Sequence, residues 1–257
     1  MKELTVVKIG GNIVDKPEVL DQFLRDFNKL QGPKILVHGG GNLASEMSIK
    51  LGVTPQMISG RRVTDIETLK IVTMVYAGWI NKSIVAGLQR IGTNAIGLSG
   101  ADGDSVPAVK RSPEPVDYGY VGDVNPKNIN SSFLVSLLAR GICPVFCAIT
   151  HDRNGTLLNT NADTMASSVA VALSIDYYTK LVYCFEKDGV LKDVNDPKSV
   201  IPLITKSTYQ ALKSEQIISD GMLPKLDNAF NAIENGVAEV SIIHASNLST
   251  NIGTILK

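Results

Sequence analysis

The sequence predicts an α/β protein built on a mostly parallel sheet with helices on both of its faces. Three observations predict it. Short apolar runs alternate with helical repeats almost throughout, glycines follow several of those runs, and no linker-like or low-complexity stretch divides the chain. At 257 residues and 44% hydrophobic content there is material for a sizeable core in one large or two small domains.

The first strand is "LTVVK" (4–8), which runs into "IGGN". Val19, Leu20, Phe23, Phe27 and Leu30 then recur at helical spacing. "KILVH" (34–38) is a second strand, and after Gly39, Gly40 and Gly41 the residues Leu43, Met47 and Leu51 predict a helix from about 42. A long helical pattern covers about 66–90, and "NAIGLSG" (94–100) is a strand with a glycine end. "VDYGYVGDV" (116–124) alternates like an exposed hairpin, and "SSFLVSLLARG" (131–141) is a helix closed by glycine. The buried strand "ICPVFCAI" (142–149), the helix "ADTMASSVAVAL" (162–173) and the strand "KLVYCF" (180–185) follow. Two helices, about 205–216 and 222–235, precede a last strand, "EVSIIH" (239–244).

Composition excludes several classes of function. Lysine plus arginine equals aspartate plus glutamate at 25 each, so no global field favours nucleic acid or an anionic membrane. No uninterrupted apolar run of eighteen residues and no signal-peptide pattern is present, which predicts a cytoplasmic protein. Cys143, Cys147 and Cys184 are odd in number and sit in apolar runs, so they are core residues rather than a disulfide framework. With three histidines and no CxxC, no metal site is expected.

Any anion site must therefore be local. Three glycines in a row are kept where a Cβ would obstruct, and a strand-to-helix junction exposes unpaired N–H groups and a partial positive charge. A tight turn with close helix-on-sheet packing is the other reading of the same glycines. The ends of strands in such sheets are where ligands bind, and Gly10, Gly11, Gly39 to Gly41, Gly97 and Gly100 all fall there. "GGGNLA" satisfies the dinucleotide fingerprint formally, but no strand ending in an acidic residue follows at the right distance. P-loop and protein-kinase motifs are absent.

Lys8 ends the first strand, Lys225 follows "SDGMLP", and Asp163 stands in "NTNAD" at another strand-to-helix junction. Two cations and a carboxylate suit phosphoryl transfer, which is catalysed by positioning and by charge stabilisation. No general base is evident, and an acceptor that is itself a carboxylate would need none at neutral pH.

At these residues the sequence resembles the amino-acid kinase family over its whole length. "KIGGN", "VHGGG", "RVTD", "GLSGADGD", "GYVGDV", "LNTNAD" and "SDGMLPK" occur in the family's order. The resemblance implies an open three-layer αβα sandwich, with residues 1–175 as a lobe for an acyl amino acid and for dimerisation and 176–257 as a lobe for MgATP. It implies ATP-dependent phosphorylation of the side-chain carboxylate of an N-acyl-L-glutamate, with Mg2+ held mainly by the nucleotide phosphates. It places Lys8 and Lys225 on the transferring phosphoryl group and makes Asp163 the group that holds both lysines. Gly10 and Gly11 would border the phosphates, Gly40 and Gly41 the acceptor, and Arg62 and Asn159 would grip the substrate α-carboxylate. A homodimer joined through the helix at about 66–90 and insensitive to arginine is also implied. Alternatives from the same resemblance are a kinase for a carrier-protein-blocked aminoadipate or glutamate, and a nucleotide-binding regulatory protein without turnover. The joint presence of Lys8, Asp163 and Lys225 disfavours the last.

The chain departs from the family pattern twice. It reads "CFEKDGVL" (184–191) where family members usually carry a threonine-aspartate pair at the edge of the nucleotide site, and Glu186 receives no role. Arg61 stands where relatives usually place an apolar or aromatic residue against the acyl group. It is either a solvent-facing arginine or an acyl-pocket cation that would favour a succinyl over an acetyl substrate.

Overall fold

In the computed structural model, which describes residues 1–58, 60–193, 195–215, 217–218 and 222–257, the strands and helices alternate as the sequence predicts. Residues 219–221 of the "SDGMLPK" motif lie outside the described residues. In chain order the elements begin with β1 (Glu3–Ile9), α1 (Gly11–Val14), α2 (Pro17–Lys29), β2 (Lys34–His38) and α3 (Gly41–Lys50). They continue with β3 (Met57–Ile58), β4 (Arg61–Arg62), α4 (Ile66–Thr73), a π-helical segment (Met74–Ile80) and α5 (Asn81–Arg90). The middle of the chain holds β5 (Ala95–Leu98), β6 (Ala108–Lys110), β7 (Gly122–Val124), α6 (Ser131–Ala139), β8 (Cys143–Cys147), β9 (Ile149–His151) and β10 (Leu157–Asn159). The remainder is α7 (Ala162–Leu173), β11 (Tyr178–Phe185), β12 (Leu203–Ile204), α8 (Lys206–Ser214), α9 (Leu223–Glu234), β13 (Glu239–His244) and β14 (Gly253–Leu256).

Eight strands form one sheet in the order β12-β14-β13-β11-β1-β2-β8-β5. The pairs from β13 through β5 are all parallel, and β13 and β14 pair antiparallel. The central strands are apolar on both faces, as expected where helices cover each side. On one face Leu4, Val6, Val37, Phe146, Leu181 and Tyr183 pack with α6, α7, α8 and α9. On the other, Val7, Ile9, Leu36, Val145 and Cys184 pack with α2 and with the helical run 66–90. The sheet and its two helical layers are the αβα sandwich.

Register fixes where the site falls. Ile9 pairs with both Cys184 and His38, and His38 pairs with Cys147, so four strands end level with one another at one edge. Side chains alternate along a strand. Lys8 therefore points to the same face as Leu4 and Val6, toward α7.

Several expectations are corrected. The segment 116–124 is not a hairpin by itself: only β7 is a strand, and it pairs antiparallel with β6. Gly119 adopts φ +74°, and residues 118–120 bond instead to Thr64, through Thr64 N–H to Tyr118 O (2.8 Å) and Tyr120 N–H to Thr64 O (2.7 Å). In α3 the buried positions are Ala44 and Ser48, whereas Met47 and Leu51 are exposed, because small residues let this helix approach its neighbours. The final strand is β14, a four-residue element too short to give a period.

The cysteines are buried and free, and burial pushes the Cys143 and Cys147 thiols up to about 12. Among the described residues one helix, 66–90, is long and apolar enough to cross a membrane, and Leu69, Val72, Val75, Ile80, Ile84 and Leu88 on it are buried in the core.

Candidate active site

The level strand ends open onto a cavity of about 220 Å³ lined by Lys8, Gly11, Gly39, Gly40, Gly41, Arg61, Arg62, Tyr76, Arg111, Asn159 and Ala162, among others. Residues as distant in sequence as Lys8 and Ala162 meet here because the ends of β1, β2 and β10 and the start of α7 share one edge.

Asp163 sits in the first turn of α7, whose N-cap Asn161 accepts a hydrogen bond from Thr164 N–H. A carboxylate there is favoured by the helix dipole. Its two oxygens face two cations: Lys8 Nζ lies 2.6 Å from Oδ1 and Lys225 Nζ 3.4 Å from Oδ2. Burial works to raise the Asp163 carboxyl, but the two ammonium groups outweigh it and hold it below the ordinary carboxylate range. Burial, aided by the charge of Lys8, draws Lys225 below its ordinary value against the pull of Asp163. The set carries one positive charge more than it neutralises. A set with this net charge attracts an anion.

The glycines divide by cause. Gly40 has φ +155°, and a Cβ on it would drive into Ile80, so the packing reading explains this residue. A Cβ on Gly41 would meet nothing within 4 Å and would occupy the cavity. A Cβ on Gly11 would stand 3.6 Å from Gly41 N, which brings the two glycine loops side by side. A Cβ on Gly10 would stand 3.9 Å from Cys184 O, and Gly10 is not among the residues that line the cavity. Gly97 and Gly100 serve close packing, against Asn81 and Val106 respectively, and neither lines the cavity.

His38 anchors the triple glycine. Its ring is fully buried, Nδ1 lies 2.8 Å from Gly39 O, and Nε2 lies 3.1 Å from Asn81 Nδ2. Nδ1–H therefore donates to the carbonyl and Nε2 accepts from the amide. Burial lowers the imidazole to about 4, so it is neutral at physiological pH.

Arg62 is 7% exposed and donates through Nη2 to Gly41 O (2.8 Å) and Ser45 Oγ (2.7 Å). Its Nη1 is buried without a partner. An unpaired guanidinium nitrogen beside a cavity is a donor in want of an acceptor. Asn159 donates to Thr64 Oγ1 (3.0 Å), and Thr64 in turn donates to Arg62 O (3.2 Å), so the two candidate carboxylate ligands share one support. Arg61 lines the same cavity with an exposed side chain.

Sequence reasoning missed Arg111, Tyr76, Asn81 and Phe185. Arg111 lies in the unpatterned run "VKRSP", one residue past β6, and its guanidinium is held by both carboxylate oxygens of Asp123 on β7. Phe185 was legible only as the end of a strand. Among the described residues no three His, Cys, Asp or Glu side chains cluster as metal ligands, and Asp163 is occupied by its two lysines.

The parallel sheet, the glycine loops at its carboxyl edge and the lysine-aspartate-lysine set define a class of small-molecule kinase. The amino acid kinase family model matches residues 3–244, and the chain belongs to that family. It is 55% identical to the acetylglutamate kinase of Cytophaga hutchinsonii, covering 96% of this chain and 94% of that protein. It is 51% identical to the acetylglutamate kinase of Phocaeicola vulgatus over 100% of both. A solved structure from Streptococcus mutans superposes with a TM-score of 0.80 at 28% identity, covering 100% of this chain and 99% of that one.

Proposed function

We infer that the chain catalyses ATP-dependent phosphorylation of the side-chain carboxylate of N-acetyl-L-glutamate, producing the acyl phosphate of arginine biosynthesis. The observation that carries this reading is identity above 50% over essentially the full length of proteins named acetylglutamate kinase.

The geometry supplies a mechanism. The acceptor carboxylate is already ionised at neutral pH, so no base is needed. Its oxygen attacks the γ-phosphorus, the bond from that phosphorus to the β–γ bridging oxygen breaks, and ADP leaves with the electron pair. Lys8 and Lys225 offset the negative charge that redistributes over the transferring group and the leaving oxygen, while Asp163 fixes their spacing. N–H groups of Gly11 and Gly41 face the reacting oxygens. Arg62, through its free Nη1, and Asn159 bind the α-carboxylate. Magnesium, carried on the nucleotide phosphates, supplies further charge neutralisation when bound.

In this reading residues 1–175 bind the acyl amino acid and 176–257 the nucleotide, and the enzyme works in the cytoplasm. A homodimer is supported by the exposed apolar side chains Ile66, Met74 and Trp79 on one helical run, and two-fold contacts are the commonest. The position of Arg61 at the cavity favours N-succinyl-L-glutamate as an additional substrate. A coupled ADP-release assay with N-acetyl-, N-succinyl- and unblocked glutamate tests the reading: turnover with neither acyl substrate would refute it.

A further inference from the structure

We propose that Phe185 is a positioning residue for phosphoryl transfer, its ring face being the common seat of the Lys8 and Lys225 ammonium groups; the proposal rests on the reading of those lysines given above. Lys225 Nζ stands 3.9 Å from the ring centroid and Lys8 Nζ 5.0 Å. Both distances fall within the range of about 6 Å over which a cation is drawn to the negative face of an aromatic ring.

The placement follows from the fold. Lys8 pairs with Tyr183 in the sheet, and alternation along β11 puts Tyr183 and Phe185 on the face that Lys8 shares. The Phe185 ring is stacked on Tyr183, at 6.0 Å between centroids and 12° between planes. Tyr183 is fully buried, and its hydroxyl donates to the Asp163 carbonyl at 3.3 Å. The ring is thus braced from the same turn of α7 that carries the carboxylate.

One carboxylate between two ammonium groups leaves the set with a net positive charge, and the two cations still repel each other across it. The ring supplies a second centre of negative potential without adding a formal charge that would repel the incoming phosphates. A leucine could fill the volume but has no such face. The contribution is largest when both cations must bear on the transferring group together, so it belongs to kcat rather than to nucleotide binding.

The test places 4-fluoro-, 3,5-difluoro- and 3,4,5-trifluorophenylalanine at position 185, alongside Phe185→Leu, and measures kcat and the ATP KM. Fluorine withdraws charge from the ring face while nearly conserving shape, so the series remains informative even if the leucine variant does not fold. The expected result is a stepwise fall in kcat with each added fluorine, reaching about tenfold in Phe185→Leu, with ATP KM within about threefold of wild type. A kcat that is flat across the series overturns the proposal. So does a rise in ATP KM at constant kcat, which would make the ring a platform for the nucleotide base. Lys8→Ala and Lys225→Ala are assayed in parallel: wild-type kcat in both overturns the underlying site reading, whereas their loss beside a flat fluorine series overturns the role of Phe185 alone.

Discussion

Lys8 Nζ lies 2.6 Å from Asp163 Oδ1, an ion pair between the end of β1 and the first turn of α7. The same carboxylate reaches Lys225 on α9, so one side chain ties together three elements from distant parts of the chain. Its task in catalysis is electrostatic. Asp163→Asn keeps the shape and removes the charge, and kcat is expected to fall about a hundredfold as the two ammonium groups lose their common counter-charge. Asp163 also acts to raise Lys225, against burial and the charge of Lys8. In the asparagine variant Lys225 therefore loses its proton at lower pH, and the alkaline limb of the kcat/KM profile is expected to move down. An unmoved limb would separate Lys225 from that ionisation.

Gly40 and Gly41 are neighbours with opposite reasons to be glycine. Gly40→Ala combines a positive φ with a clash at Ile80, and is expected to cost about 2 kcal/mol or more, lowering Tm by about 5 °C. Gly41→Ala places its Cβ in open cavity and is expected to leave Tm within about 2 °C while raising the acyl-glutamate KM about tenfold. Thermal melts and steady-state kinetics on the two variants check both halves. Equal loss of stability would remove the cavity-facing role of Gly41.

Arg61 makes the acyl group testable. A succinyl carboxylate beside its guanidinium would gain a charge-assisted pair that an acetyl methyl cannot form. Because Arg61 is exposed, solvent screens the pair, and the expected preference for N-succinyl- over N-acetyl-L-glutamate is about fivefold to tenfold in kcat/KM. Arg61→Leu should reverse it. An unchanged ratio would make Arg61 a surface residue.

His38 sets an acid limit on stability. Its imidazole is lowered from 6.5 to about 4 by burial, so between those values the unfolded chain binds a proton that the folded chain excludes. Stability from this group is fully present above pH 6.5 and is lost as pH falls toward 4, by about 3 kcal/mol at most. Asp15, whose carboxyl burial raises, works in the opposite sense. Urea midpoints across this range, with the His38 ring followed by NMR, check the assignment; titration near pH 6.5 in the folded protein would contradict it.

The fold was legible where residues repeat. The strands 34–38 and 239–244 and the helix 162–173 are found at the predicted bounds, because buried runs flanked by glycine or by an N-capping residue carry their own limits. Segments that owe their shape to distant partners were not legible. Residues 116–121 alternate like a strand, but Tyr118 and Tyr120 bond to Thr64 and Tyr120 and Val121 accept from Asn159 and Arg111, and β3, β9, β10, β12 and β14 are too short for a period. The lysines and Asp163 could be named because strand ends and helix starts mark the ligand edge of a parallel sheet. Arg111, Asn81 and Phe185 could not, since only the register of the sheet and the crossing of the helices bring them to the site.

Lys8 and Lys225 are expected to act on the transferring phosphoryl group. Hydroxylamine converts an acyl phosphate to a hydroxamate, so product can be measured directly with N-acetyl-L-glutamate and MgATP for the wild type, Lys8→Ala and Lys225→Ala. The expected result is hydroxamate from the wild type, with kcat at least about a hundredfold lower in each variant and substrate KM changed by less than about fivefold. Wild-type kcat in both variants, or no hydroxamate from the wild type, would contradict it.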